Sequence, residues 1–295
     1  MQRQAVPENY MRKLSIAYTP DSDDVFNYYA WEKGHISTGL SDYEPSFHRN
    51  HIIDLNRDAL EERFDVVAVS SVFYPQVADK YWVLCVGNSV GRGFGPALVS
   101  KKYKTPGELA GKRVAVGGHP TTGSGLALMF CPGIKLVELP FDAIVDAILN
   151  DEIDAGVMIH EELLYYEEKG LNLVLDLGVA WNEDTGLPLP VGLNLVSKRL
   201  GMETARDVAT ACQDSLLWGV AHQDEVYAYA GGFGRGRARD HVEMFRMDDF
   251  IRLPDDVRKA MRIMFDRIAA MGLGPKVKSF EIIEGRLGPE RLRVA

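Results

Sequence analysis

A short apolar run that ends on a histidine sets the first limit on the fold: Asp154-Ala155-Gly156-Val157-Met158-Ile159-His160, followed by a helix-like stretch over residues 161–170. An apolar run of this length reads as a buried strand, and the charged, leucine- and tyrosine-bearing stretch after it reads as a helix. A strand that feeds a helix belongs to an α/β arrangement. It places His160 at the carboxyl end of the strand, the edge at which open α/β sheets bind ligands. A neutral imidazole there can take or give a proton near pH 7, because its unperturbed pKa is about 6.5. The same position also suits a histidine that only caps the start of the helix.

The unit recurs. Residues 13–18 are expected to form a strand, followed by the loop Thr19-Pro20-Asp21-Ser22-Asp23-Asp24 and a helix from Val25. Aspartate and serine are favoured N-caps, so capping is the simplest role for Asp21 to Asp24. The loop also follows the carboxyl end of a strand, which makes Asp24 a candidate ligand contact. Helical spacing over residues 53–62 leads into Phe64-Asp65-Val66-Val67-Ala68-Val69-Ser70-Ser71, a β-branched run of the kind buried in parallel sheets. It ends on compact hydroxyls that can donate to a ligand oxygen. Residues 112–118 form another strand. The loop after it, His119-Pro120-Thr121-Thr122-Gly123-Ser124-Gly125, opens a helix and gathers N–H and O–H donors at a helix N-terminus, an arrangement suited to an anion. Gly91-Arg92-Gly93-Phe94-Gly95-Pro96 is glycine-rich but does not read as a phosphate loop. It lacks the GxxxxGK[ST] pattern and leads into a strand, residues 97–100, rather than a helix. Arg92 could neutralise an anionic ligand, but an exposed arginine is the commoner case and the one expected.

Further strands are expected over 81–86, 136–139, 172–177 and 193–197, with an amphipathic helix over 141–150. Beyond residue 200 the pattern becomes helical, over 203–230 and 254–271, with a basic, glycine-rich loop at 231–239 between the two. The chain is expected to cross between units near residues 96–101 and again near 190–197. The fold class that follows is α/β in two lobes with a cleft between them. Residues 11–97 and 196–285 make lobe 1, to which the C-terminal helices return, and residues 98–195 make lobe 2.

Composition narrows the function. A formal charge of −9 over 295 residues argues against a nucleic-acid surface, which needs clustered lysine and arginine. It leaves room for a small anionic ligand in a locally suited pocket. Three widely spaced cysteines, Cys85, Cys131 and Cys212, show no ligand pattern and suit buried positions in a reducing compartment. No metal site is indicated. His35, His48, His51, His222 and His241 show no ligand spacing and are expected at the surface. Residues 1–10 are polar and lack the apolar core of a secretory signal, and no run approaches the ~18 apolar residues of a membrane span. The expected location is therefore cytoplasmic, with no membrane partner; Met11 is a candidate physiological start, and the oligomeric state is open.

Several segments together resemble one family, the menaquinone-biosynthesis enzymes of the futalosine route, and within it the 1,4-dihydroxy-6-naphthoate synthases. The shared residues include Asp24-Val25-Phe26, Asp54-Leu55-Asn56, Tyr74-Pro75-Gln76-Val77-Ala78-Asp79 and Gly91 to Pro96. They continue through Thr121-Thr122, Pro140-Phe141-Asp142, Asp154 to Glu161 and Trp181 to Gly192, the last with its Thr185-Gly186-Leu187-Pro188-Leu189-Pro190. The resemblance implies a two-lobed fold like that of type II periplasmic solute-binding proteins, with the substrate in the interlobe cleft. It further implies a reaction without a cofactor, in which cyclic dehypoxanthine futalosine, a carboxylate-bearing substrate, is opened to 1,4-dihydroxy-6-naphthoate. Residue by residue, the family's base falls on His160, its substrate-binding strand end on Ala68, Val69 and Ser70, and its threonine loop on Thr122 and Gly123, with Thr121 beside them.

Two departures stand out. The family's first loop resembles Ser-Pro-Cys-Pro-Asn-Asp, where this chain has Thr19 to Asp24, so that Asp23 replaces an asparagine and adds negative charge near the cleft. In the second loop Gly123-Ser124 replaces an alanine and a bulky residue. Two other functions fit the same fold: a module that binds a small acid without turnover, and the sister activity that dehydrates chorismate.

Overall fold

The computed structural model describes residues 11–159, 165–233, 238–245 and 247–287. Two sheets organise the molecule. The first half of the chain opens with β1 (Arg12–Tyr18), α1 (Ser22–Glu32), β2 (Tyr43–Arg49), α2 (Ile52–Leu60) and β3 (Val66–Ser70). A 3-10 turn at Ser71–Gln76 then leads to β4 (Tyr81–Leu84), β5 (Ser89–Gly91) and β6 (Ala97–Ser100). Next come β7 (Arg113–Val116), α3 (Thr122–Phe130), β8 (Lys135–Glu138), α4 (Phe141–Leu149), β9 (Ala155–Met158), β10 (Asn172–Asp176) and α5 (Leu177–Thr185). The chain continues with β11 (Leu189–Ser197), α6 (Met202–Ala221), α7 (Gln223–Ala230), α8 (Ala238–Glu243), α9 (Met247–Ile251), α10 (Asp255–Ala270) and β12 (Ile282–Ile283).

The first sheet runs β12-β4-β11-β3-β1-β2, with β5 also paired to β11; the second runs β10-β6-β9-β7-β8. In the first, β1 lies parallel to both β2 and β3, and β11 antiparallel to β3. In the second, β7 lies parallel to β8 and β9. The strands at the centre of each sheet are the apolar runs legible in the sequence: every residue of β3 and of β9 is buried. Sheets covered on both faces need such continuous apolar strands. Cys85, Cys131 and Cys212 are unpaired and buried, and burial pushes their thiols up, the first to about 12 and the second to about 11.

The structure moves one expected boundary. The second unit was expected to extend to residue 195, yet β11 pairs with the first sheet from Leu189 onward, Leu189 opposite Gly91 and Val196 opposite Val66. The return to the first sheet therefore falls before residue 189. The reason lies in α5, which ends on Gly186 in the left-handed conformation (φ 69°), and in the Trp181 indole, which donates to Pro188 O at 3.0 Å and directs the chain back. The helical stretch at 203–230 is likewise two helices, broken at His222, whose φ of −132° is not helical. None of the helices among the described residues is long and apolar enough to cross a membrane.

Candidate functional site

A cleft with a cavity volume of about 110 Å³ lies between the two sheets. Its walls are strand ends and the loops that follow them. The first sheet contributes Thr19, Asp21, Asp23 and Asp24 after β1, and Ala68, Val69 and Ser70 at the end of β3. The second contributes Thr121, Thr122 and Gly123 after β7, and Ile159 after β9. Thus Asp24, Ala68, Val69, Ser70, Thr121, Thr122 and Gly123, which the sequence points to singly, are brought to one cleft. His160 lies outside the described residues; its neighbour Ile159 is on the wall.

The hydroxyls have unequal freedom. Ser70 N donates to Asn56 Oδ1 at 2.9 Å, and Ser70 Oγ accepts from Asn56 Nδ2 at 3.2 Å, which leaves the serine proton for the cleft. Asn56, fully buried on α2, also donates to Pro120 O at 3.2 Å and so ties the two lobes together. Thr121 is the N-cap of α3: its Oγ1 donates to Gly118 O at 3.0 Å and accepts from Ser124 N at 3.3 Å. Thr122 Oγ1 donates to Val191 O at 2.6 Å, across the cleft. Val191 falls where the β5–β11 register shifts, between Pro190 and Gly192. The two threonine hydroxyls are therefore committed to protein. What α3 offers an anion are the amides of its first turn, Thr122 and Gly123, which have no acceptor within a helix. A Cβ on Gly123 would lie 2.9 Å from Val157 Cγ1, so the valine would have to shift to admit one.

The opposite wall is acidic. Asp24 is buried and its Oδ2 accepts from Thr19 N at 3.0 Å and Thr19 Oγ1 at 2.8 Å. Burial first, and then the Asp23 carboxylate beside it, push the Asp24 carboxyl up to about 8, against the pull of the two Thr19 bonds. Asp23 accepts from Ser89 Oγ at 2.7 Å. Ser22 Oγ lies 3.0 Å from His241 Nδ1, and His241 and Phe245 close the cleft from the α8 side. No lysine or arginine lines the cleft among the described residues.

Two expectations need correction. His241 is not at the surface: it is 3% exposed and lines the cleft, because α8 folds over the N-terminus of α1. Arg92 is not a free surface arginine. Its guanidinium takes Asp249 through Nε at 2.6 Å and Nη2 at 2.9 Å, and Asp256 through Nη1 at 2.8 Å, so it anchors the β5–β6 crossover to α9 and α10. Asn56, Ser89, Asn194 and His241 are the site residues that sequence reasoning did not single out. Only Asn56 carried a signal, as part of Asp54-Leu55-Asn56.

Comparison with known proteins follows the geometry. A family model described as menaquinone biosynthesis matches residues 14–270. A 1,4-dihydroxy-6-naphthoate synthase of Thermus thermophilus is 32% identical over 267 residues, covering 89% of this chain and 96% of that one. A protein of the same name from Streptomyces coelicolor is 30% identical over 273 residues, covering 89% and 95%. Among solved structures, a protein of Archaeoglobus fulgidus superposes with a TM-score of 0.83 at 36% identity, over 90% of this chain and 99% of that one. The periplasmic aliphatic sulphonate binding protein of Escherichia coli superposes with a TM-score of 0.64 at 12% identity, over 94% and 95%, which establishes the periplasmic-binding-protein fold and nothing further.

Proposed function

The chain belongs to the menaquinone-biosynthesis family, and from that premise we propose that it is a carbon–carbon lyase converting cyclic dehypoxanthine futalosine to 1,4-dihydroxy-6-naphthoate. The observation that carries the reading is the convergence of Ala68, Val69, Ser70, Thr121, Thr122, Gly123 and Asp24 on one interlobe cleft. His160, one residue beyond Ile159 on the wall, acts as general base and removes a proton from the bound substrate. The cleavage and elimination that follow leave an aromatic product, whose formation drives the reaction. The protein's part is a base and a fixed orientation. The substrate carboxylate binds at Ser70 and the first-turn amides of α3, where the donors are, and away from the acidic wall at Asp21 to Asp24. Closure of the lobes excludes water from the reacting atoms. No cofactor and no metal takes part in this scheme, and the proposed location is cytoplasmic.

Incubation with cyclic dehypoxanthine futalosine, read by mass spectrometry, is expected to yield dihydroxynaphthoate. His160→Ala is expected to lower turnover by about 10²–10⁴-fold with the fold intact, the usual contribution of a general base. Unchanged turnover in that variant removes the histidine's role. Absence of product at high enzyme concentration, together with tight binding of another small acid, identifies a binding module instead. Consumption of chorismate identifies the sister activity.

A further inference from the structure

Gly91-Arg92-Gly93-Phe94-Gly95-Pro96 carries the chain from the first sheet to the second, and its backbone sits in a tight mount. A Cβ on Gly91 would lie 2.1 Å from Phe94 O, and one on Gly178, in the first turn of α5, 2.0 Å from the same atom. That oxygen is backbone and cannot swing aside, so only glycines let both neighbours close on it. Arg92 fixes the stretch from the other direction, through its bonds to Asp249 and Asp256. The Phe94 ring is what this mount presents. It is half-buried and lines the cleft, and among the described residues it packs into neither hydrophobic core.

Phe245, which follows α8, meets it there. The two ring centroids are 5.5 Å apart with their planes at 69°, edge to face. Phe245 also lines the cleft, and it is braced edge to face by Phe250 at 5.3 Å and by His241 at 5.4 Å. Aromatic rings attract one another at centroid separations of ~4.5–7 Å through the opposite charge of face and edge, beyond what burial of their area gives. The remaining apolar wall, which includes Ile52, Pro96, Val191 and Leu193, buries saturated and aromatic carbon alike.

We propose that Phe94 and Phe245 form an aromatic contact for a planar ring of the ligand, so that the cleft prefers an aromatic acid to a saturated acid of the same skeleton. This rests on the reading that the cleft makes an aromatic carboxylate. As the ring becomes aromatic its attraction to the pair grows, which favours the later part of the reaction over the bound substrate.

Calorimetric titration of 2-naphthoate and of decahydro-2-naphthoate, which share skeleton and carboxylate, into the wild type, Phe94→Leu and Phe245→Leu tests the contact. Leucine keeps an apolar side chain and removes the ring. The wild type is expected to bind 2-naphthoate more tightly than its saturated counterpart. Each substitution is expected to lower that ratio roughly 2- to 12-fold, the worth of one aromatic pair beyond burial. A second measurement needs no variant: nuclear Overhauser effects from the ring protons of bound 2-naphthoate to phenylalanine rings are expected in the wild type. No binding of 2-naphthoate, no preference over the saturated acid, no such effects, or a ratio that survives either substitution in a folded variant overturns the proposal. Any of these results in an enzyme that turns over cyclic dehypoxanthine futalosine leaves the lyase reading standing without the aromatic contact. An aromatic preference that both substitutions weaken, in a protein without turnover, overturns the lyase reading and leaves the contact standing.

Discussion

Thr122→Val tests whether the cleft is held shut by a side chain that the sequence marks only as a ligand contact. Valine keeps the shape of threonine and removes one donor. The Val191 carbonyl that loses this partner is half-buried at an irregularity of β11. Leaving such an acceptor without its donor costs up to about 1–3 kcal/mol. In an opened cleft water reaches that carbonyl, so the cost falls on the closed form alone. A coupling of this size corresponds to roughly a 5- to 150-fold change in the equilibrium between two states. Ligand affinity and kcat/KM, both of which draw on the closed form, are expected to fall within that range. The urea midpoint of the free protein is expected to move little. Thr122→Ser keeps the donor and is expected to restore most of the affinity. Calorimetric titration of dihydroxynaphthoate into the three proteins gives the numbers. Wild-type affinity in Thr122→Val, or a Thr122→Ser variant as weak as the valine, refutes the argument.

Two further substitutions probe the frame around the cleft. Asn56→Ala strips Ser70 N of its acceptor and Pro120 O of a donor, and is expected to lower stability by about 1–3 kcal/mol in urea denaturation and to raise KM, because Ser70 is no longer held. Arg92→Met removes the guanidinium that holds the Asp256 carboxyl below its usual range. A depressed carboxylate contributes stability above its unfolded pKa of about 3.9, and that contribution disappears as pH falls through the folded value. The gap between wild type and Arg92→Met, about 1–2 kcal/mol at pH 7 because Asp256 is partly screened by solvent, is therefore expected to narrow below about pH 4. A gap constant from pH 7 to pH 3 contradicts the assignment.

The strand ends on the cleft were legible because each follows an apolar run that only a buried strand explains, as with Val66 to Ser70 and Ala155 to Met158. Strands without such a run escaped notice. In β2, the exposed Glu44, Pro45 and His48 interrupt the pattern, and β5 and β12 are three and two residues long. The far side of the site was hidden for a different reason. His241 sits on a six-residue helix 219 positions from Ser22, and nothing in its neighbourhood signals that α8 packs on α1. The roles of Thr121 and Thr122 needed coordinates as well. A threonine before a helix reads equally as cap and as ligand donor, and only the acceptor's position tells that one hydroxyl caps α3 and the other reaches Val191.

The two passages between the sheets run side by side. Gly91 pairs with Leu189 just before the chain leaves and just after it returns, and Ala97 pairs with Asp176 on the far side. The second lobe is in effect inserted between them, joined by one short passage and one that carries α5. Two adjacent passages resist sliding and twisting more than bending, so the cleft is expected to open by a swing about one axis. The contacts that span it, Thr122 with Val191 and Asn56 with Pro120, are then expected to break together. Such a door loses little chain entropy on shutting, which lets single hydrogen bonds decide where it rests.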